Sequence, residues 1–222
     1  MSVNRPYNDV RLLPEIVPIF PLERTLLLPR GELPLNVFEP RYVAMIDDAI
    51  ANKRIVGMVQ PLPEHGKAEL RPPLFNVGCA GRVTRFAETG DGRYLITLSG
   101  VARFRIVEEI AQDAPYRSCR VSYDEFRGDL QPGAGEHSVD RDAMCNMLRK
   151  FAEYSKIDID WASIDAAPCE TLVNALAMLS PFGAGEKQSL LEASDLRARA
   201  EMLIALAELD MAQQGIERPQ FH

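Results

Sequence analysis

The stretch "PLNVFEPRY", residues 34–42, joins a strand-like segment to the start of a helix. Its first half has apolar strand character, and the residues after it carry apolar side chains at helical spacing. Pro40 suits the first turn of that helix. Phe38 and Tyr42 are four residues apart across the junction, so we predict that they form a buried corner clamp, which is a role in the scaffold rather than in a binding site.

Arg41 is the residue of this stretch that packing explains least. Its guanidinium is expected to pair with Glu39, which lies in the cap region of the helix, or with an acid on a neighbouring strand.

The first part of the chain is predicted to be a β-structure. Eleven of the sixteen prolines fall in residues 1–73, which disfavours long helices and favours short strands joined by fixed turns. The strand-like segments are "EIVPIFPL", "TLLLP", "LPLNVF", "RIVGMVQP", "FNVGCAGRVTRFAE", "YLITLSGVARFRIVEEI" and "YRSCRVSYDEF". The "GDG" at residues 90–92 predicts a hairpin turn. Several short strands around one helix predict a small closed or nearly closed barrel.

The segment "VARFRIVEE" predicts a strand with two different faces. Arg103 and Arg105 alternate with Ala102, Phe104 and Ile106. This alternation is typical of a half-buried antiparallel strand, so we expect one apolar face and one exposed, arginine-rich face.

The second part of the chain is predicted to be helical. "RGDLQPGAGEH", residues 127–137, has the composition of a linker. Ser138 is a plausible cap for the helix that follows, and a later helix is capped by Ser194 or Asp195 and stops at Gly215. The predicted class is therefore α+β, with a small β-barrel at residues 1–130 and an α-helical bundle subdomain at residues 136–215.

Charge is distributed unevenly along the chain. Residues 1–133 hold 17 acidic and 17 basic side chains, whereas residues 134–222 hold 15 acidic and 8 basic. Fifteen of the first 17 basic residues are arginine, which suits planar carboxylate, phosphate or carbonyl partners. The alternative is that these arginines pair with the equally numerous local acids.

Motif analysis argues against catalysis, cofactors and metals. The four cysteines lie at least 24 residues apart, and the three histidines, His65, His137 and His222, are scattered. "GAGEKQS" is not a phosphate loop, and no G-x-S-x-G or S-x-x-K arrangement is present. We therefore expect a protein that is not an enzyme and needs no cofactor or metal.

The sequence pattern also predicts no secretory signal and no membrane span. Three prolines interrupt residues 1–20, and no run of about 18 uncharged apolar residues exists. The sequence predicts a cytoplasmic protein that does not enter a membrane.

Several segments, in order along the chain, resemble the amino-terminal substrate-binding domain of Lon proteases. They are "PIFPL", "LLLPRGELPLNVFEPRYVAMIDDA", "VGMVQP", "NVGCAGRVTRF", "DGRYLITLSGVARFRI" and "PYRSCRV". The helical tail is similar too, notably at "EKQSLLEASDLRARAEMLIALAEL". The resemblance implies a PUA-like barrel, a helical subdomain and recognition of polypeptides. Since the sequence ends where the ATPase and Ser/Lys peptidase modules would begin, we expect a free-standing Lon-type domain.

The leading hypothesis is a non-enzymatic module that binds unfolded or extended polypeptide, as an adaptor or regulator with a protease or chaperone as further partner. Strand edges, the apolar turn at residues 26–28 and arginines able to hold backbone carbonyls would provide the contacts. The candidate binding residues are Leu26, Leu28, Arg30, Phe38, Glu39, Arg41, Tyr42, Arg103 and Arg105.

Two alternatives remain open at this stage. PUA-like barrels often bind RNA, and the first part of the chain is rich in arginine. However, a pI of about 5.1 and the scarcity of lysine there disfavour nucleic acid. A small-molecule enzyme using a barrel cleft has no supporting arrangement of residues.

Overall fold

The computed structural model describes residues 6–63, 71–156 and 158–217. His65 and His222 lie outside the described residues. The strands are β1 (Ile16–Pro21), β2 (Glu32–Val37), β3 (Ile55–Val59), β4 (Val77–Glu88), β5 (Tyr94–Ile110) and β6 (Arg117–Ser122). The helices are α1 (Pro40–Ala51), α2 (Arg141–Ser155), α3 (Trp161–Ala166), α4 (Cys169–Leu179), α5 (Ala184–Glu192) and α6 (Leu196–Glu217). The predicted α+β class, with strands first and helices after, is confirmed.

The six strands form one mixed sheet in the order β2-β5-β4-β3-β1-β6. Strands β1 and β3 pair in parallel, and the other pairs are antiparallel. Strand β6 also pairs with β5, so the pairing runs in a ring through β1, β3, β4, β5 and β6. Strand β2 lies outside this ring and pairs only with β5 among the strands described.

The predicted local signals explain two of the connections. Gly90 and Gly92 have φ values of 78° and 80°, which glycine tolerates, and they turn the chain between β4 and β5. Helix α1 begins at Pro40 with Glu39 as its N-cap, as the sequence predicts. Its buried residues include Met45 and Ile46.

The helical part departs from the sequence prediction at three points. Asp140, rather than Ser138, caps α2, because its carboxylate accepts the Ala143 backbone N–H at 2.9 Å. The short helix α3 was not predicted. Helix α6 continues past Gly215, and its start is capped by Asp195, which accepts the Ala198 N–H at 2.8 Å.

The segment "TLLLP" is not a strand. Leu27 and Leu28 are 1% and 0% exposed, and the chain here passes close to β5. At Gly100 a Cβ atom would lie 1.9 Å from the Leu28 carbonyl oxygen, so only glycine fits. The Arg30 N–H donates to the Gly100 carbonyl at 2.8 Å, which holds the start of β2 against β5.

The core is continuous between the sheet and the helices. One cluster joins sheet and α1 residues such as Leu98 and Met45 to Met144, Leu190 and Leu203 of the helical part. A second cluster, around Val17, Ile19 and Phe104, fills the interior between the strands of the ring. The helical part therefore packs on the sheet through an apolar interface.

A set of polar side chains, which we call the polar seam, crosses this interface. Its members are Arg30, Arg103, Asp129, Glu170 and Arg199. Segment 127–137, predicted to be a linker, supplies one of them, Asp129, and contacts Glu170 through the Gly133 N–H at 2.9 Å. The domain boundary drawn there stays a prediction.

Candidate functional site

The structure separates the two rings that were predicted to form a corner clamp. Tyr42 is 7% exposed and packs on Phe20 with ring centroids 4.4 Å apart. Phe38 is 61% exposed, so its assignment to the clamp is wrong. It lies between the end of β2 and the cap of α1, where the nearest ring contact is the Arg93 guanidinium, 6.0 Å from the ring centroid. Tyr42 and Phe20 form the corner instead.

Arg41 pairs with Glu39, one of the two alternatives that we expected. Its Nε and Nη2 groups donate to one carboxylate oxygen of Glu39 at 3.0 and 2.8 Å. The guanidinium also lies 4.6 Å from the centroid of the Tyr42 ring. The pair is about one-third to one-half exposed, so it borders solvent.

Three predicted binding residues are buried. Leu26 and Leu28 are 2% and 0% exposed, and the idea that they form an exposed apolar turn is wrong. Arg103 is 5% exposed, because α5 and the residues after it cover this face of β5. Its guanidinium binds Asp129 through Nε and Nη2 at 2.9 and 2.8 Å, and Nη1 donates to the carbonyls of residues 191 and 193. These residues stabilise the fold and do not face a ligand.

Arg30 and Arg105 pair with acids of the same chain, as in the alternative reading of the arginine-rich part. Arg105 binds Glu125 at 2.6 and 2.8 Å on the surface. This ion pair lowers the pKa of the Glu125 carboxyl and raises that of Arg105. Arg30 donates to both carboxylate oxygens of Glu170. A binding role for either arginine stays a prediction.

The outer edge of β2 is open. Thr97 of β5 pairs with Pro34, and its carbonyl accepts from Thr84 Oγ1 on β4 at 3.2 Å. The Thr97 backbone therefore faces β4, which makes Thr97 and Pro34 a non-hydrogen-bonded pair across β2 and β5. By alternation, the backbone groups of Glu32, Pro34 and Asn36 point away from the sheet. We call this row the open edge; Pro34 supplies a carbonyl but no N–H to it.

Strand β4 has a second free edge at its end. Strand β3 pairs with β4 only as far as Arg82, whereas β4 continues with β5 to Glu88. Residues 85–88 thus have a strand partner on one side only within the described chain. The end of the sheet is a three-stranded ribbon of β2, β5 and β4 with backbone available on both sides.

Three exposed apolar side chains and the half-buried Tyr94 lie at the end of this ribbon, and we call them the apolar tip: Phe38, Phe86, Tyr94 and Leu95. Phe86 and Tyr94 pack edge to face at 4.8 Å, and the Tyr94 hydroxyl donates to Asp47 on α1 at 2.8 Å. Leu95 pairs with Asn36 and Ala87, so it lies on the opposite face from Phe86. Apolar contact area is therefore available on both faces of the ribbon.

The other end of β2 borders a cleft of about 290 Å³ between residues 29–32 and helix α4. Leu179, at the end of α4, is 82% exposed, and Met178 also lines the cleft. The open edge thus runs from this cleft to the apolar tip, over six residues of β2. Such an arrangement can bind an extended chain by main-chain hydrogen bonds and apolar contacts at both ends.

Sequence reasoning expected a strand edge without indicating which strand supplies it, and it missed the apolar tip apart from Phe38. The exposure of Phe86 and Leu95 depends on how far β4 extends past β3, which no local pattern shows. Within the described ranges, no group of three or more His, Cys, Asp or Glu side chains could hold a metal ion. None of the helices described is long and apolar enough to span a bilayer.

Comparison with known proteins gives consistent results. The family model of the ATP-dependent protease La (LON) substrate-binding domain matches residues 16–208. Lon protease 2 of Myxococcus xanthus is 28% identical over 203 residues, which cover 87% of this chain and 24% of that protein. Lon protease of Anaeromyxobacter dehalogenans is 27% identical, with 87% and 23% covered. The chain spans about a quarter of the length of these relatives.

Two solved structures share the fold. A Lon N-terminal domain protein from Xanthomonas campestris matches with a TM-score of 0.58 and 26% identity, covering 86% of this chain and 97% of that one. The N-terminal domain of the Mycobacterium avium complex Lon protease has a TM-score of 0.60 at 17% identity, covering 87% and 98%, which is a likeness of fold alone. Since the family model covers most of its length, this chain belongs to the substrate-binding domain family of the ATP-dependent protease La (Lon).

Proposed function

We propose that this chain binds unfolded or extended polypeptide, without catalysis, by taking up a segment of the substrate as an added strand on the open edge of β2. The observation that carries the proposal is the outward backbone of Glu32 and Asn36, which has no strand partner among the described residues. The matched family is named for substrate binding, and its relatives are proteases, which supports a polypeptide as the ligand.

The physical character of the edge predicts weak and broad binding. Main-chain hydrogen bonds contribute affinity that depends little on substrate sequence, and the apolar tip and the cleft at Leu179 favour apolar side chains. Handing the bound segment to a protease or chaperone would make the chain an adaptor or regulator. A cytoplasmic location remains a prediction from the sequence.

Titration of a fluorescent, reduced and carboxymethylated test protein, followed by anisotropy at low and high salt, tests the proposal. We expect binding that survives the rise in salt, because apolar burial dominates. Replacing Phe38 and Leu95 together by serine should weaken binding by about tenfold, which corresponds to roughly 1.4 kcal/mol of lost contact.

A matched control is Val107→Ser, because Val107 is 60% exposed on the same strand β5 but away from the apolar tip. Equal weakening by the control and by the double variant would contradict binding at the tip. Tight, salt-sensitive binding of a structured RNA without binding of the unfolded protein would favour the RNA hypothesis instead.

A further inference from the structure

A second cavity, of about 130 Å³, lies on the other side of the β2–α1 junction. It is formed where β1, the first turn of α1, the loop before β4 and the start of β6 meet. Arg41, Arg71, Arg117, Tyr42, Tyr116 and Ile19 line it. The described lining contains three guanidinium groups and no carboxylate, in a chain whose net charge is −7.

Arg117 is held in place by its neighbours. Its Nε and Nη2 groups donate to Glu109 at 3.0 and 2.7 Å, and Nη1 donates to the Pro72 carbonyl at 2.6 Å. These bonds engage three of the five N–H groups that a guanidinium carries, so two can still donate. A fixed guanidinium with spare donors is well suited to a planar anion.

The charges around the cavity fit one negative charge. Glu39 pairs with Arg41, and Glu109 pairs with Arg117, so two of the three positive charges are balanced. Hydrogen bonds from Arg117, and to a smaller extent the charge of the exposed Arg71, lower the pKa of Glu109. Arg71 has no ion pair of its own among the described residues. With Asp48, whose carboxylate accepts from the Tyr116 hydroxyl, the surroundings are close to neutral, which favours a singly charged carboxylate over a doubly charged phosphate.

The remaining walls are apolar and adjoin a neighbouring cavity. Tyr42 is 7% exposed, and the Tyr116 hydroxyl is fixed by donating to Asp48 at 2.6 Å. The Tyr116 ring also lines a cavity of about 300 Å³ with mixed walls, in which Ile16 and Ile55 lie beside polar residues such as Asp48 and Lys53. Since a cavity of about 150 Å³ holds a benzene-sized group, the smaller cavity has room for one terminal group, and the larger one for the side chain before it.

We infer that the arginine-lined cavity binds the C-terminal carboxylate of a polypeptide with an apolar end. This inference rests on the proposed polypeptide binding. It assigns recognition of the C-terminus of the substrate to a site distinct from the open edge. The guanidinium groups of Arg71 and Arg117 donate to the carboxylate, and the apolar side chains of the terminus lie against Tyr116. A chain held there by its end leaves its preceding residues available to other contacts.

The test compares N-acetyl-leucyl-leucine with its C-terminal amide, by chemical-shift titration of the whole chain. We expect the free acid to bind about tenfold more tightly, the factor expected for one charge-assisted hydrogen bond. Arg71→Gln should remove most of this preference. Arg197→Gln should leave it unchanged, because Arg197 pairs with Glu201 on the surface of α6.

Equal binding of acid and amide would overturn the inference. Equally tight binding of an amidated peptide with an internal aspartate would also overturn it, because the cavity would then recognise acidic side chains. Displacement of the free acid by an equal concentration of inorganic phosphate would overturn it as well. The double variant Phe38→Ser/Leu95→Ser should keep the preference for the free acid over the amide even if it no longer binds the unfolded protein. That result supports carboxylate binding in the arginine-lined cavity. Loss of unfolded-protein binding in that variant concerns the open edge alone, so the two proposals fail separately.

Discussion

The polar seam and the open edge use β5 in opposite ways. At the seam, the Arg103 guanidinium is 5% exposed and every nitrogen of it donates to a named partner. At the apolar tip, Phe38 and Leu95 are 61% and 48% exposed, and the outward backbone of the neighbouring strand β2 has no strand partner among the described residues. Charge is inside and apolar surface is outside, the reverse of the usual distribution. Arg103 and Leu95 lie on the same strand, so β5 both holds the helical part and presents an exposed contact surface.

The largest effect should come from breaking the seam. Asp129→Ala leaves Arg103 buried without its counter-ion, so we expect a loss of about 3–5 kcal/mol in the free energy of unfolding. Urea titration followed by circular dichroism measures it. The control is Glu125→Ala, which removes the surface partner of Arg105 two residues along the strand and should leave the unfolding midpoint unchanged. Similar losses of unfolding free energy in both variants would show that the buried pair Arg103–Asp129 contributes no more to stability than the exposed pair Arg105–Glu125.

The corner of α1 provides the second test. Tyr42→Ala removes a buried ring that packs on Phe20 and should cost about 3 kcal/mol. Phe38→Ala, four residues earlier, should change stability by no more than about 0.5 kcal/mol, because its ring is solvent-exposed. Thermal unfolding of the two variants compares them directly. A Phe38→Ala protein as unstable as Tyr42→Ala would place Phe38 in the core and remove it from the apolar tip.

These contrasts show what the sequence could and could not predict. The turn at Gly90 and Gly92, the start of α1 at Pro40 and the order of strands before helices follow from local chemistry. Burial of Arg103 does not, because the alternation along β5 is the same whether solvent or a helix covers that face. The open edge depends on strand order, which joins residues far apart in the chain and has no local signature.

The link between Arg30 and Glu170 tests the seam where it is partly exposed. Glu170 accepts from Arg30 and from the Gly133 N–H, and it connects the chain just before β2, the 127–137 segment and α4. Glu170→Gln removes the charge but keeps the shape, so we expect a loss of about 2 kcal/mol. Hydrogen exchange should show faster opening of segment 127–137 than in the parent. Unchanged exchange there would mean that apolar packing alone holds the segment.

The smallest expected effect concerns how the stability of the fold depends on pH. Hydrogen bonds from Arg117 hold the pKa of Glu109 below its ordinary value of 4.5. A carboxylate with a lowered pKa in the folded state stabilises the fold above its unfolded pKa and loses that contribution as the pH falls through the folded value. Glu109→Gln should therefore be slightly less stable than the parent near neutral pH, with the difference vanishing at acidic pH. A difference that is constant with pH would exclude this ionic contribution.

Pro34 has a consequence for how copies of this chain behave toward each other. An unpaired strand edge invites the same edge of a second molecule, which leads to dimers and aggregates. Pro34 lies in the middle of the outward row, between Glu32 and Asn36, and interrupts the ladder of donors that two such edges would need. A flexible substrate can bend around the missing N–H, whereas a second rigid sheet cannot. We expect the pyrrolidine ring of Pro34 to prevent two copies of this chain from pairing through the open edge. As a consequence, each substrate segment that binds there forms one hydrogen bond fewer.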